Sequence, residues 1–95
     1  MSKFALDGMT VTLAAEVSRF NILVNSVSPG FIDTDLTRKN LGEDGINRIK
    51  QNIPMKQLGS VHDLGELVAW LASKKNSYMT GQNIVVDGGF SRVRE

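Results

Sequence analysis

The stretch "NILVNSVSPGFIDTDL", residues 21–36, decides how the rest of the chain is read. Ile22 to Val27 is nearly continuously apolar. That profile belongs to a strand buried on both faces, not to one with a wet face. The run stops in Ser28-Pro29-Gly30, and a short segment follows with Thr34 held between Asp33 and Asp35. A strand that only fills a core has no use for such an ending. A strand whose C-terminal end opens onto a ligand does.

Outward from that strand, the periodicity predicts a helix over residues 4–20. Leu6, Met9, Leu13, Val17 and Phe20 recur at spacings of three and four, and Phe4, Val11 and Ala15 form a second apolar stripe. A band this wide predicts contact with two bodies, a sheet and another subunit. Asn21 ends the helix. Residues 29–42 read as loop with a turn of helix near Leu36, and Glu43–Asn52 as a second helix carrying Ile46, Ile49 and Ile53 on one side. Ser60 followed three residues later by Asp63 is a capping box. It opens a third helix to about Ser73, with Leu64, Leu67, Val68 and Leu71 on one face. After a polar loop, residues 83–87 form a second strand ending in the turn signal Asp87-Gly88-Gly89.

Helices between apolar strands predict an α/β layered fold with parallel pairing. Two strands of interior type need neighbours on both sides and helices on both faces. The expected fold class is therefore the C-terminal portion of a doubly wound, Rossmann-type parallel sheet, with two strands and about three helices in this chain.

Composition narrows the function classes. Ninety-five residues suit one small domain, and eleven basic against ten acidic residues leave no electrostatic footprint for nucleic acid or an anionic membrane. The sequence has no cysteine, so disulfides, thiol catalysis and Cys metal sites are excluded, and one histidine cannot build a His-rich metal site. No apolar run approaches the roughly 20 residues of a membrane span, and the N-terminus lacks a signal-peptide pattern. A soluble cytoplasmic protein is the expectation.

Four stretches together resemble the C-terminal part of a classical short-chain dehydrogenase/reductase, in its 3-oxoacyl-acyl-carrier-protein reductase-like branch. "SKFALDGMTVTLAAE" is similar to the helix after that family's catalytic Tyr. "NILVNSVSPGFIDTDL" is similar to its strand and Pro-Gly loop beneath the nicotinamide. "LGSVHDLGELVAWLAS" and "YMTGQNIVVDGG" are similar to its closing helix and strand. The resemblance implies one dinucleotide-binding oxidoreductase domain of which residues 1–95 are the C-terminal segment, the N-terminal cofactor-binding half being absent. It implies NAD or NADP as cofactor in the intact protein and hydride transfer to or from a carbonyl or alcohol substrate. It assigns Pro29 and Gly30 to the ring, backbone groups of Ile32 to the carboxamide, and the Thr34 hydroxyl to carboxamide or pyrophosphate. Lys3 would lower the pKa of an upstream Tyr and hold the ribose, the chain's one catalytic assignment. Residues 36–58 would form a lid. Helix 4–20 and strand 83–87 resemble the family's oligomer surfaces.

The chain departs from the family at its catalytic centre. It has no G-x-G-x-x-G, and Tyr78 is followed four residues later by Gln82 rather than Lys. The chain alone is therefore expected to show no turnover and no measurable dinucleotide affinity. The alternative is a non-catalytic interaction module that binds itself or a full-length relative; a methyltransferase of Rossmann type ranks below both. Taken without the resemblance, the same residues have plainer readings. Lys3 is a solvated terminus, Pro29-Gly30 a strand terminator, Ser26 and Ser28 satisfied strand-end hydroxyls, and Asp33 and Asp35 loop or cap residues.

Overall fold

The computed structural model describes residues 2–93, the side chain of Lys3 excepted. In chain order it has α1 (Lys3–Val17), a 3-10 turn (Ser18–Phe20), β1 (Ser26–Pro29), α2 (Asp35–Asn52), α3 (Val61–Ala72) and β2 (Asn83–Val86). These fall into two compact units, Met1–Ser28 with Leu67–Ile84, and Pro29–Glu66 with Val85–Glu95. β1 and β2 are neighbours in a two-stranded sheet. Ser26 N–H donates to Gln82 C=O and Gly30 N–H to Val86 C=O, both at 2.9 Å. The offset is the same at the two ends, so the strands run parallel.

In the first unit, the Ser2 hydroxyl caps α1 by accepting from Ala5 N–H at 3.1 Å. The helix tightens through the 3-10 turn and ends at Asn21, whose φ of 62° is a left-handed stop that asparagine tolerates. The buried face of α1 takes in only part of the expected stripe, with Leu6 and Val17 half-buried beside it. Thr10 and Ala14 are buried, while Met9, Val11, Leu13 and Phe20 are exposed and Phe4 is 93% exposed. Thr10 satisfies its hydroxyl on Leu6 C=O at 2.8 Å, which is how a polar side chain can be buried there. Most of the wide apolar band, Leu6 and Val17 excepted, lies on the open side of this helix.

The strand is also displaced from its expected place. Residues 22–25 carry no strand; β1 begins at Ser26 and runs through Pro29. Val24 and Asn25 make their bonds with the loop before β2 instead. Val24 C=O accepts from Gly81 N–H at 2.7 Å, Val24 N–H donates to the Thr80 hydroxyl at 2.9 Å, and Asn25 receives Gln82 N–H at 3.1 Å. The apolar content there did not mark a fully buried segment, since Ile22 is exposed and Leu23 to Asn25 are half-buried.

In the second unit, the expected loop over residues 29–42 is largely helix. Thr34 caps α2 by accepting from Thr37 N–H at 3.1 Å, so the helix starts at Asp35. Gly42, at φ 66° and ψ 174°, is non-helical and divides α2 into residues 35–41 and 43–52, the second piece being the helix expected over Glu43–Asn52. Ile46 and Ile53 are the buried aliphatics of this unit, each contributing roughly 1.5–3 kcal/mol by leaving water. The expected capping box on α3 is present: Ser60 N–H donates to Asp63 Oδ2 at 2.9 Å and Asp63 N–H to Ser60 Oγ at 3.1 Å.

Candidate functional site

The segment after β1 is held by a single isolated bridge. Ile32 pairs in parallel with Gly59. Gly59 N–H donates to Phe31 C=O at 3.0 Å, and Asp33 N–H donates to Gly59 C=O at 2.7 Å. In a parallel bridge the residues flanking the bridged one supply the bonds. The N–H and C=O of Ile32 therefore face the other way, and neither has a bond within the described residues. A donor and an acceptor on one residue, fixed in direction, form a ready contact for an amide.

Asp33 is held from both sides. Its carboxylate takes Arg38 Nε at 2.7 Å and Arg38 Nη2 at 2.8 Å, a fork-to-fork pair. The Arg38 bonds hold the Asp33 carboxyl below the usual carboxylate range, and Asp33 raises Arg38 in return. Thr34 Oγ1 lies 2.9 Å from Thr37 Oγ1 in addition to capping α2. If the Thr37 hydroxyl gives the proton in that contact, Thr34 keeps its own proton for a further acceptor. Asp35 is exposed in the first turn of α2, where a negative charge suits the helix N-terminus.

Pro29 closes β1 without a donor to give. Gly30 follows, and a Cβ built there would lie 2.6 Å from Asp87 Cβ and 2.9 Å from Asp87 Cα. The end of β2 thus passes too close for any side chain at position 30. Asp87 itself organises the turn beyond β2, accepting from Gly89 N–H at 2.9 Å, Ser91 N–H at 3.0 Å and Ser91 Oγ at 2.6 Å. Phe90 then meets Phe31 edge-on, with ring centroids 5.5 Å apart.

A cleft of about 280 Å³ lies in the same unit, with Phe31, Met55, Leu58, Val86 and Gly88 among its walls. Its two carboxylates are engaged, Asp63 with Ser60 and Asp87 with its turn. The bonds from Ser60 hold Asp63 below its ordinary range. What the cleft offers a ligand is apolar contact. Of the residues expected at the site, the structure brings Pro29, Gly30, Ile32 and Thr34 into one loop; none of them lines the cleft, whereas Phe31 between them does. Lys3 opens α1 in the other unit, and its side chain lies outside the described residues. Ser26 and Ser28 are satisfied hydroxyls, both donating to Asn83 Oδ1, at 3.0 and 2.9 Å.

Gly59 and Arg38 were not singled out by the sequence. Arg38 stands five residues after Asp33, a spacing that bridges a loop and a first helical turn only if the helix starts at Asp35. Gly59 had no local signal, because a one-residue bridge leaves no pattern. Among the described residues, no group of three His, Asp or Glu side chains is placed to hold a metal, and no helix is long and apolar enough to cross a membrane.

The family described as Enoyl-(Acyl carrier protein) reductase matches residues 1–91. The chain is 46% identical over 92 residues to the 3-oxoacyl-[acyl-carrier-protein] reductase of Rickettsia bellii, covering 97% of this chain and 38% of that protein. It superimposes on a 4-hydroxyisoleucine dehydrogenase complexed with NADH with a TM-score of 0.86 and 35% identity, over 97% of this chain and 38% of that one. An NADPH-dependent reductase involved in bacilysin biosynthesis gives the same TM-score of 0.86 at 34% identity, over 95% of this chain and 38% of that one. The chain therefore spans a little over a third of the length of the relatives it matches.

Proposed function

Since the chain belongs to the short-chain dehydrogenase/reductase family, with its Rossmann-type α/β fold, we propose that residues 29–34 seat the nicotinamide of NAD or NADP. The observation that carries this reading is the outward-facing N–H and C=O of Ile32, fixed by the bridge to Gly59. A carboxamide brings an acceptor oxygen and an NH2 donor, the complement of those two groups. The position agrees with the rule that ligands of open α/β sheets sit beyond the carboxyl ends of strands. Both NADH and NADPH occur among the structural neighbours' names, so the reading covers either dinucleotide.

When bound, the dinucleotide supplies or accepts a hydride at its nicotinamide C4, with a small-molecule carbonyl or alcohol as the other reactant. The chain's own residues orient it. Ile32 fixes the carboxamide, Thr34 offers a hydroxyl without adding charge, and Pro29 presents a surface with no competing donor. Lys3 is assigned the ribose and the electrostatic lowering of a tyrosine's pKa. Residues 36–58 act on the substrate side; Met55 and Leu58 from that stretch wall the apolar cleft. The chain in this reading is the C-terminal segment of one dinucleotide-binding domain of a cytoplasmic enzyme, and it is inactive by itself.

The test is a graft. Residues 1–95 replace the matched segment of the Rickettsia bellii reductase, and NADPH oxidation with a 3-oxoacyl substrate is followed. The graft is expected to turn over. Ile32→Pro in it removes one N–H and is expected to raise the dinucleotide KM about tenfold, equivalent to about 1.4 kcal/mol. An Ile32→Pro graft that folds and keeps its KM overturns the reading.

A second reading, a non-catalytic module that associates through helix 4–20 and strand 83–87, is favoured by one observation. Phe4, Met9, Val11 and Leu13 of α1 and Val85 of β2 are all exposed. Sedimentation equilibrium of the 95-residue chain separates the cases: a discrete dimer supports the module, and polydisperse aggregate rejects it.

A further inference from the structure

We propose that Asp33 and Arg38 are the positioning pair of the loop after β1, holding the backbone groups of Ile32 and the hydroxyl of Thr34 at a fixed spacing. This rests on the reading of residues 29–34 as the nicotinamide seat. Asp33 lies between the two ligand-facing residues. Its N–H is tied to Gly59 C=O at 2.7 Å, and its carboxylate is tied to Arg38 by two bonds of 2.7 and 2.8 Å. Arg38 N–H in turn donates to Thr34 C=O at 3.0 Å. The bonds close a ring through residues 33, 34 and 38, with Thr34 inside it. Rotation at Thr34 would break either the main-chain bond or the fork.

The fork also ties down a short piece of helix. Residues 35–41 run from the Thr34 cap to the bend at Gly42, whose φ of 66° interrupts the helical path. That piece has the fork at its near end and the bend at its far end. A planar guanidinium suits the task because two parallel N–H bonds fix an angle as well as a distance; an ammonium fixes only a distance. Both side chains are substantially exposed. An exposed pair adds little to global stability, so the consequence of this one is local geometry. That makes it separable from a folding role.

The experiment uses the grafted protein, with backbone amide exchange also measured on the 95-residue chain. Arg38→Ala is expected to speed exchange at Asp33 and Thr37 about three- to fivefold and to raise the dinucleotide KM by a similar factor. The melting temperature and kcat should stay close to those of the parent graft. Arg38→Lys should recover part of the KM, and the exchanged pair Asp33→Arg with Arg38→Asp should recover more. Unchanged exchange and KM in Arg38→Ala, while Ile32→Pro still raises the KM, overturns the positioning role and leaves the nicotinamide seat standing. A loss of kcat that tracks a lowered melting temperature also overturns it, since that is a folding effect. If neither Arg38→Ala nor Ile32→Pro moves the KM of a graft that turns over, the nicotinamide seat falls and the positioning role with it.

Discussion

The two ends of β1 differ in how their polar groups are used. At its start, in the first unit, side-chain groups are spent inside the chain. Asn25 joins Met79 and Gln82, Thr80 joins Val24, and Ser26 and Ser28 both donate to Asn83. Beyond its finish, in the second unit, one bridge to Gly59 fixes the chain and leaves the N–H and C=O of Ile32 without a bond among the described residues. A buried polar group left unpaired is costly. Ile32 is only half-buried, so its open pair is not forced to find a partner within the chain; under the proposed reading it is kept for the carboxamide. The start of the strand uses its polar groups within the fold, and the segment beyond its end leaves a backbone pair open.

The sharpest way to break that comparison is at Gly30, where the two roles touch. Gly30→Ala places a Cβ 2.6 Å from Asp87 Cβ, against main chain that cannot swing aside. A loss of about 2–3 kcal/mol is expected, read as a lowered urea midpoint, and an unchanged midpoint would show that Asp87 is free to move. At the other end, Asn83→Ala strands the hydroxyls of Ser26 and Ser28. It should cost about 1–2 kcal/mol while leaving the dinucleotide KM of the graft unaltered. A KM change there would erase the division between the two ends.

Smaller effects sharpen it. Gly42→Ala meets no atom within 4 Å, but its φ of 66° is left-handed. About 1 kcal/mol of strain is expected from that alone, and thermal melting should show it. The smallest effect is in acid. Asp33 and Asp63 both have carboxyls held below the ordinary range, by the bonds from Arg38 and Ser60 respectively. The unfolded chain then binds the protons more readily. Their contribution is complete above an ordinary aspartate value of about 3.9 and fades as pH falls through the lower folded values. Asp63→Asn should flatten the acid limb of a pH-melting curve; a curve superimposable on the parent's would show that the cap adds nothing.

Much of this was legible in the residues because local signals acted locally. The Ser60–Asp63 box, the stop at Asn21, the strand ending in Asp87-Gly88-Gly89 and the apolar run before Pro29 each declare themselves within a few positions. The family was legible too, because Pro29, Gly30 and Thr34 stand together in a pattern that resembles it. What misled was the same locality. The loop expected over residues 29–42 holds a helical piece, residues 35–41, because Thr34 also acts as a helix cap. The apolar band of α1 predicts contact with a sheet and another subunit; within the chain it is Thr10 and Ala14 that are buried, with Leu6 and Val17 half-buried.

The sequence by itself determined the α/β class, the parallel pairing and the loop that follows β1, since apolar period, turn residues and caps all act over short distances. Only the tertiary structure decided which backbone groups of that loop are used and which are left open. That depends on Gly59 arriving beside Ile32 from 27 positions away, on Asp87 arriving beside Gly30, and on Arg38 reaching back to Asp33. Contacts of this kind are set by where the chain returns, and no spacing in the sequence announces them.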